Sequence, residues 1–280
     1  MFAGDSTSDS PNPLHVTEIA TELVITRLFL IDLLQQEKIS TEDTIITTKE
    51  RTCLYTKIFK NVTYRPVSGA SYEPSIEDEI VDLLDPVLFD QMAGGEVWDR
   101  IIPYLPFYRN WERDKELIES VEWSNLDKYS MVTNKPFVAV VIRKRAAWTD
   151  KNMTDQFWLD FLSKLKGNGI PVCVFGKETE MFCDSKSIHY IENFQDWCTI
   201  VRHSNCKRVV STMTGGVYPC LIFGNPDIKM TLIDNTNLKA NHGYDPSFYN
   251  DCINFSRIQI DFIDHIPTTN ELYEIVTNDL

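Results

Sequence analysis

What the sequence lacks already narrows what it can do. No apolar run approaches the ~18 residues of a membrane-spanning helix. Its 7 cysteines contain no Cys-x-x-Cys pair, which excludes zinc-knuckle and thioredoxin-type motifs; their odd number and wide spacing fit reduced, mostly buried thiols. There is no GxGxxG, no GxxxxGK(S/T) and no GxSxG, so a nicotinamide or flavin fingerprint, a P-loop and a nucleophile elbow are all missing. No Asp-x-Asp triplet occurs, which weakens any reading in which paired carboxylates hold a divalent cation against a diphosphate. The opening MFAGDSTSDSPNP has neither a basic n-region nor an apolar h-region, so it does not read as a secretory signal and a cytoplasmic location is expected. The sequons at Asn61, Asn152 and Asn254 then read as coincidences.

Positive charge is scarce as well. Lys plus Arg number 27 against 41 Asp plus Glu in 280 residues, a formal net charge of −14. Nucleic-acid affinity rests on cationic contacts to phosphates, so bulk binding of DNA or RNA is disfavoured. The charge is uneven, however. Met1 to Pro136 carries 13 basic and 24 acidic residues, and Val217 to Leu280 carries 3 and 9. Phe137 to Gly216 carries 11 basic and 8 acidic residues, a locally cationic segment suited to a small phosphate-bearing ligand.

What is present is a regular alternation of short apolar runs and amphipathic stretches. Phe137 to Ile142 (FVAVVI) reads as a strand buried on both faces. Met153 to Lys166 follows with near-helical apolar spacing, with Thr149 or Asp150 as candidate caps. Pro171 to Phe175 is a second buried strand, Ser187 to Ile191 a weaker one, Phe194 to His203 a helix and Arg208 to Ser211 another strand. Thr212 to Gly216 is a polar glycine turn leading into a helix over Val217 to Phe223, and Lys229 to Asp234 is a further strand. This alternation predicts an α/β fold with a parallel sheet covered by helices. The first half is less regular: a long helix over Thr17 to Gln36, a strand over Asp43 to Thr47, a helix over Arg51 to Phe59 and a strand over Val62 to Val67. Asn125 to Lys135 reads as the hinge, and Asn270 to Asn278 as a closing helix.

Ligands of open α/β sheets bind beyond the carboxyl ends of the strands. Three predicted strand ends carry suitable groups: Arg143 and Arg145 after the first, Gly176 and Lys177 after the second, and Ser211, Thr212, Thr214, Gly215 and Gly216 after the fourth. A glycine turn at a helix start presents N–H groups to an anion, and an arginine fork bonds two phosphate oxygens at once. Each item also has a plain structural reading: a packed turn for the glycines, a solvated strand end for the arginines, a surface lysine for Lys177. Their coincidence at three strand ends is what favours a ligand.

These stretches resemble GT-B glycosyltransferases. Val209 to Pro226 (VVSTMTGGVYPCLIFGNP) is similar to the donor loop of that family, and PFVAVVIRKR and PVCVFGKETE resemble its two upstream strand ends. The match covers Lys135 to Asp234, and bacterial heptosyltransferases and some fucosyltransferases have turns of this shape. The resemblance implies two Rossmann-like domains facing a cleft. The domains would be an acceptor-side domain over 1–130, a nucleotide-sugar domain over 131–266 and a closing helix over 267–280. It implies sugar transfer from a nucleotide sugar, UDP-linked by preference, to a glycan or glycoprotein, inverting and with no metal or other cofactor. Small size and acidity are similar to the capsid-glycan transferases of large algal viruses, which implies host cytoplasm and makes xylose a candidate donor sugar. In that frame Asp9, then Asp5 and His15, are candidates for the base that deprotonates the acceptor. Arg143, Arg145 and the Thr214–Gly216 turn would stabilise the leaving diphosphate, and Trp148 is a candidate for stacking on sugar or base. One departure is that only Met1 to Ala3 precede Gly4, so the first strand of the family is missing, very short or replaced. Asp264-His265 looks like a dyad but reads as structural, since adjacent side chains on a strand point to opposite faces. A binding protein without turnover and a nucleotide-sugar epimerase are the competing readings.

Overall fold

The computed structural model describes residues 14–15, 23, 27–65, 118–144, 152–176, 178–184, 186–212, 214–234, 258–278 and 280. The chain divides into two units, Met1–Glu122 and Trp123–Leu280.

In the first unit, β-branched residues occupy every position of TIITT and favour extended backbone. They form β2 (Thr44–Thr48), flanked by β1 (Leu14–His15) and β3 (Asn61–Arg65), both parallel to it. The strand β1 is only two residues long and follows, rather than precedes, the Gly4 stretch. Helix α1 (Arg27–Gln35) is the described part of the long helix expected from Thr17. It ends in a left-handed residue, Glu37 (φ 56°), whose N–H reaches Leu34 O at 3.1 Å, while Lys38 N–H reaches Leu33 O at 3.0 Å. Those two bonds satisfy the last carbonyls of the helix. The helix expected over Arg51 to Phe59 is instead a 3₁₀ helix, Lys49–Leu54, followed by turns. The Thr52 hydroxyl donates to Lys49 O at 3.1 Å, a local bond of the kind that competes with α-helical geometry. Arg27 is buried beneath this segment and donates from Nε to Leu54 O at 3.1 Å.

The second unit opens with a 3₁₀ turn, Asp127–Tyr129, and a one-turn helix α2 (Ser130–Thr133), so the stretch read as a hinge lies within this unit. The strands that follow are β4 (Phe137–Val141), β5 (Val172–Phe175), β6 (Ile188–Ile191), β7 (Cys206–Thr212), β8 (Lys229–Ile233) and β9 (Gln259–Ile263). All neighbours pair parallel, in the order β6-β5-β4-β7-β8-β9. Counted within the unit this is 3-2-1-4-5-6, the doubly wound arrangement. Every residue of β4 is buried, as its unbroken apolar run requires.

Alternate residues of the strands face opposite layers. Val138, Val140, Val172, Val174 and Val210 meet Trp158, Phe161, Leu162 and Leu165 of α3 (Asp155–Gly167) and Leu272 and Val276 of α6 (Thr269–Thr277). The other layer holds α4 (Phe194–Arg202) and α5 (Tyr218–Phe223), whose Trp197, Cys198, Ile200, Val201, Cys220 and Phe223 are all completely buried. Thr154, not Thr149 or Asp150, caps α3, accepting from Phe157 N at 3.2 Å. A buried polar tie crosses β7, β8 and β9: Arg208 Nη1 donates to Thr231 Oγ1 at 3.1 Å and to the Asp261 carboxylate. In strand β9 only Ile260 and Ile263 are buried and Asp261 interrupts the apolar residues, so its sequence has no continuous apolar run.

Asp264 and His265 lie past β9, in a bend, so the alternation of a strand does not govern them. His265 Nε2 stands 2.9 Å from Glu271 Oε1 and Nδ1 stands 3.4 Å from Asp264 Oδ1. Glu271 also closes the capping box of α6, with Thr268 Oγ1 accepting from Glu271 N at 3.1 Å.

Two outcomes are expected. Arg208→Ala leaves the Asp261 carboxylate without its buried partner; because Asp261 itself is about a third exposed, the loss should be about 2–3 kcal/mol, read as a lower urea midpoint. The Asp264 and Glu271 carboxylates raise the His265 pKa above its ordinary value. Stabilisation from the ring is therefore complete below its unfolded pKa of about 6.5 and disappears as pH rises through the raised folded value. The Tm of the wild type should exceed that of His265→Ala at low pH, and the gap should close in alkaline buffer.

Candidate functional site

The order reversal of the second sheet falls between β4 and β7, and a crevice at their carboxyl ends is where open α/β sheets bind ligands. Three segments converge there. The first is the continuation of β4. Ile142 N donates to Phe175 O at 2.9 Å, prolonging the sheet by one residue, and Arg143 and Lys144 follow. Arg143 is buried, 6% exposed, and its Nη1 donates to Asn152 Oδ1. Lys144 is committed to α3: its Nζ reaches Asp155 Oδ2 at 3.0 Å and Met181 Sδ at 3.4 Å and lies 5.4 Å over the Phe182 ring. The sequon Asn152-Met153-Thr154 is thus employed twice, by Arg143 and by the α3 cap.

The second segment is the end of β5. Gly176 has φ +148°, and a Cβ there would stand 2.1 Å from Ile142 O. Its carbonyl accepts from the hydroxyl of completely buried Thr179 at 2.7 Å. No other residue fits this close approach of two strand ends.

The third is the turn after β7. Thr214 is extended (φ −148°), Gly215–Val217 is a 3₁₀ turn, and α5 follows with Pro219 in its first turn. The helix expected over Val217 to Phe223 is Tyr218–Phe223, since Val217 belongs to the 3₁₀ turn, and Pro219 sits in its first turn, where the missing N–H costs no helical bond. What the segment offers an anion is main-chain N–H groups rather than the dipole of a long helix. A Cβ on Gly216 would lie 2.7 Å from Val141 Cγ1, so the turn rests directly on the end of β4. Beneath it, Trp197 Nε1 donates to Gly216 O at 2.9 Å, and the Phe175 ring stacks on Trp197 with centroids 5.2 Å apart and planes at 4°.

The expected hydroxyls separate. Ser211 is completely buried, with Oγ 2.7 Å from Thr212 O and 3.2 Å from Val141 O, so its proton serves these carbonyls rather than a ligand. Thr212 is also completely buried, and its Oγ1 has no hydrogen-bond partner among the described residues. Thr214 is half-buried and makes no side-chain cap bond. Asp5, Asp9, Arg145, Trp148 and Lys177 lie outside the described residues, and His15 is described only as backbone in β1. Asn152, Phe175, Thr179 and Trp197 carry roles that sequence reasoning missed. Trp197 falls on the apolar side of a recognisable helix, but nothing in the spacing announces a bond to a carbonyl 19 residues later.

Away from this crevice, the edge strand β6 borders a hollow of about 510 Å³ lined in part by Lys128, Tyr129, His189 and Glu192. Its polar groups largely engage one another. Lys128 Nζ contacts Asp196 at 2.7 Å and Glu192 at 3.0 Å, and Tyr129 OH donates to Asp196 at 2.9 Å. Burial, reinforced by the Asp196 carboxylate, pushes the Tyr129 phenol up to about 12. Against the pull of burial, the bond from Lys128 holds Asp196 below the usual carboxylate range.

Neither a protein-family profile nor a curated protein matches the chain. Solved structures do. Escherichia coli ADP-heptose LPS heptosyltransferase II aligns over 94% of this chain and 96% of its own, with a TM-score of 0.50 at 8% identity. E. coli heptosyltransferase WaaC with ADP aligns over 95% and 97%, with a TM-score of 0.47 at 11% identity. A glycosyl transferase family 9 protein from Veillonella parvula aligns over 94% and 87%, with a TM-score of 0.48 at 10% identity. The chain has the α/β fold of GT-B glycosyltransferases. At such identities the likeness concerns fold alone; residue roles rest on the geometry above.

Gly176→Ala tests the rigidity of this crevice. The introduced methyl meets backbone, which cannot turn aside as a side chain would. The variant should lose about 2–3 kcal/mol of stability by urea denaturation, more than Gly167→Ala, where a Cβ meets nothing within 4 Å.

Proposed function

We propose that the chain is a glycosyltransferase whose second unit holds a nucleoside-diphosphate sugar at the β4/β7 crevice. The observation that supports this best is the pairing of a buried arginine, Arg143, with a glycine turn set on the end of β4. A guanidinium fork and main-chain N–H groups together match the charge and oxygen geometry of a diphosphate. In the proposed reaction the acceptor hydroxyl loses its proton to a base and its oxygen bonds the anomeric carbon. The bond from that carbon to the diphosphate oxygen breaks, and the departing charge is met by Arg143 and the Thr214–Gly216 turn. Asp9 is the first candidate for the base, with Asp5 and His15 next. The acceptor is a glycan or glycoprotein, the anomeric centre inverts, and no metal takes part. UDP-xylose is the proposed donor; the heptosyltransferase named with ADP-heptose supplies the alternative donor for comparison.

The test is a panel of UDP-xylose, UDP-glucose, GDP-fucose and ADP-heptose with the free nucleoside diphosphates, in EDTA, read by thermal shift and by donor consumption with a glycan acceptor. At least one nucleoside diphosphate should raise the Tm without metal. Arg143→Ala should weaken that binding by about tenfold to a hundredfold. No shift with UDP, GDP or ADP overturns the proposal. Binding without turnover, indifferent to Asp9→Asn, would make the chain a nucleotide-binding protein instead.

A further inference from the structure

The turn that would meet the diphosphate closes on two backbone bonds of its own, Val217 N to Thr214 O at 3.2 Å and Tyr218 N to Gly215 O, which leave the Gly216 carbonyl to an outside donor. Its residues are two glycines and a threonine with no side-chain cap bond, and the helix after it has only six residues. Glycine has the widest backbone freedom of any residue, and neither of those bonds touches the Gly216 carbonyl, so the direction of that peptide is set from outside. The groups that can impose it lie on one side. Val141 stands where a Gly216 side chain would be, setting the height of the turn above β4. Trp197 Nε1, completely buried, donates to Gly216 O at 2.9 Å and so sets the direction of that peptide plane. Phe175, stacked on the indole at 4° and 3.9 Å from the position of a Gly216 Cβ, blocks sideways rotation of the ring.

We infer that Trp197 is a positioning residue for the anion-binding turn, aligning its peptide groups through the indole N–H while Phe175 locks the ring. The inference rests on the proposed donor site. It adds that recognition of phosphate depends on a buried side chain that touches no ligand. A carbonyl fixed inward by the indole cannot rotate outward to face the phosphate oxygens, where it would repel them. Without that bond the turn samples peptide orientations in which carbonyl oxygen, not N–H, faces the anion, and affinity falls by the populated fraction. The inference assigns this turn to phosphate alone, so the loss should concern phosphate only.

The experiment compares wild type, Trp197→Phe and Arg143→Ala in the full chain. The probes are the nucleoside diphosphate that binds best and its parent nucleoside, each titrated calorimetrically. Trp197→Phe keeps an aromatic ring for Phe175 to stack on and removes the N–H. Its diphosphate Kd should rise about tenfold, the value of one well-placed buried hydrogen bond, with the nucleoside Kd unchanged. A merely structural role would weaken both probes alike, and that result, or an unchanged diphosphate Kd, overturns the inference while leaving the donor site standing. Wild type that binds no diphosphate overturns the donor site and the inference together. Should Trp197→Phe fail to fold, the six indole N–H resonances of wild type decide the matter. One protected indole signal should move with diphosphate and stay with nucleoside; no such signal overturns the inference.

Discussion

The architecture of the second unit depends on one close approach: the Gly216 backbone resting on Val141 at the end of β4, at a distance that leaves no room for a Cβ. That contact is possible because β4 and β7 are neighbours in the sheet although the chain makes two strands between them. The same reversal of strand order sends connections to opposite layers and opens a crevice between them. A side chain at Gly216 would lift the turn from the sheet and remove the carbonyl that Trp197 holds. A side chain at Gly176 would part β5 from the extension of β4 through Ile142. The two glycines thus belong to one constraint, which brings three strand ends close enough to share a ligand.

Beneath the crevice the sheet is held in two different ways. Its centre, β4 with β5, is fixed by continuous apolar burial, a non-directional force. Its outer side is fixed by direction: Arg208, 2% exposed, reaches across β8 to Asp261 of β9. A buried guanidinium is costly unless its hydrogen bonds are met, so this tie selects one alignment of β9. The opposite edge is held by the network of Lys128, Tyr129 and Asp196, which joins the start of the unit to α4.

The sheet was largely legible in the sequence because burial on both faces leaves an unmistakable trace. FVAVVI, PVCVF and KMTLID mark strands wherever they occur, and their spacing requires parallel crossovers. Strand β9 was not legible, since Gln259 and Asp261 break its apolar run, and neither was the 3₁₀ path of Lys49–Leu54, which depends on a local Thr52 bond. At the site, composition located the strand ends but not the direction of individual groups. Arg143 and Lys144 are adjacent and alike in charge, yet one meets Asn152 and the other Asp155. Ser211, a plausible donor on paper, faces protein carbonyls. Such choices depend on which layer a side chain enters, a tertiary property that no spacing rule contains.

Most of the described cations of Phe137 to Gly216 serve structure. Arg208 lies in the amino half of β7 with Asp261, Lys166 pairs with Asp184 at 2.6 Å, Lys144 pairs with Asp155, and Arg202 stacks 4.1 Å over Trp123. Just past the end of β4, Lys144 is paired with the Asp155 carboxylate, whereas Arg143 meets the neutral amide of Asn152. Net charge therefore overstates how many charges a ligand would meet, and what remains must act through geometry. One guanidinium and a few peptide N–H groups can bind a diphosphate well only if they are already aimed when it arrives, since reorienting them consumes binding energy. A crevice with few charges consequently needs stiff walls, and the stacked pair Phe175 and Trp197, the hydroxyl of Thr179 and the amide of Asn152 supply that stiffness from residues that carry no charge.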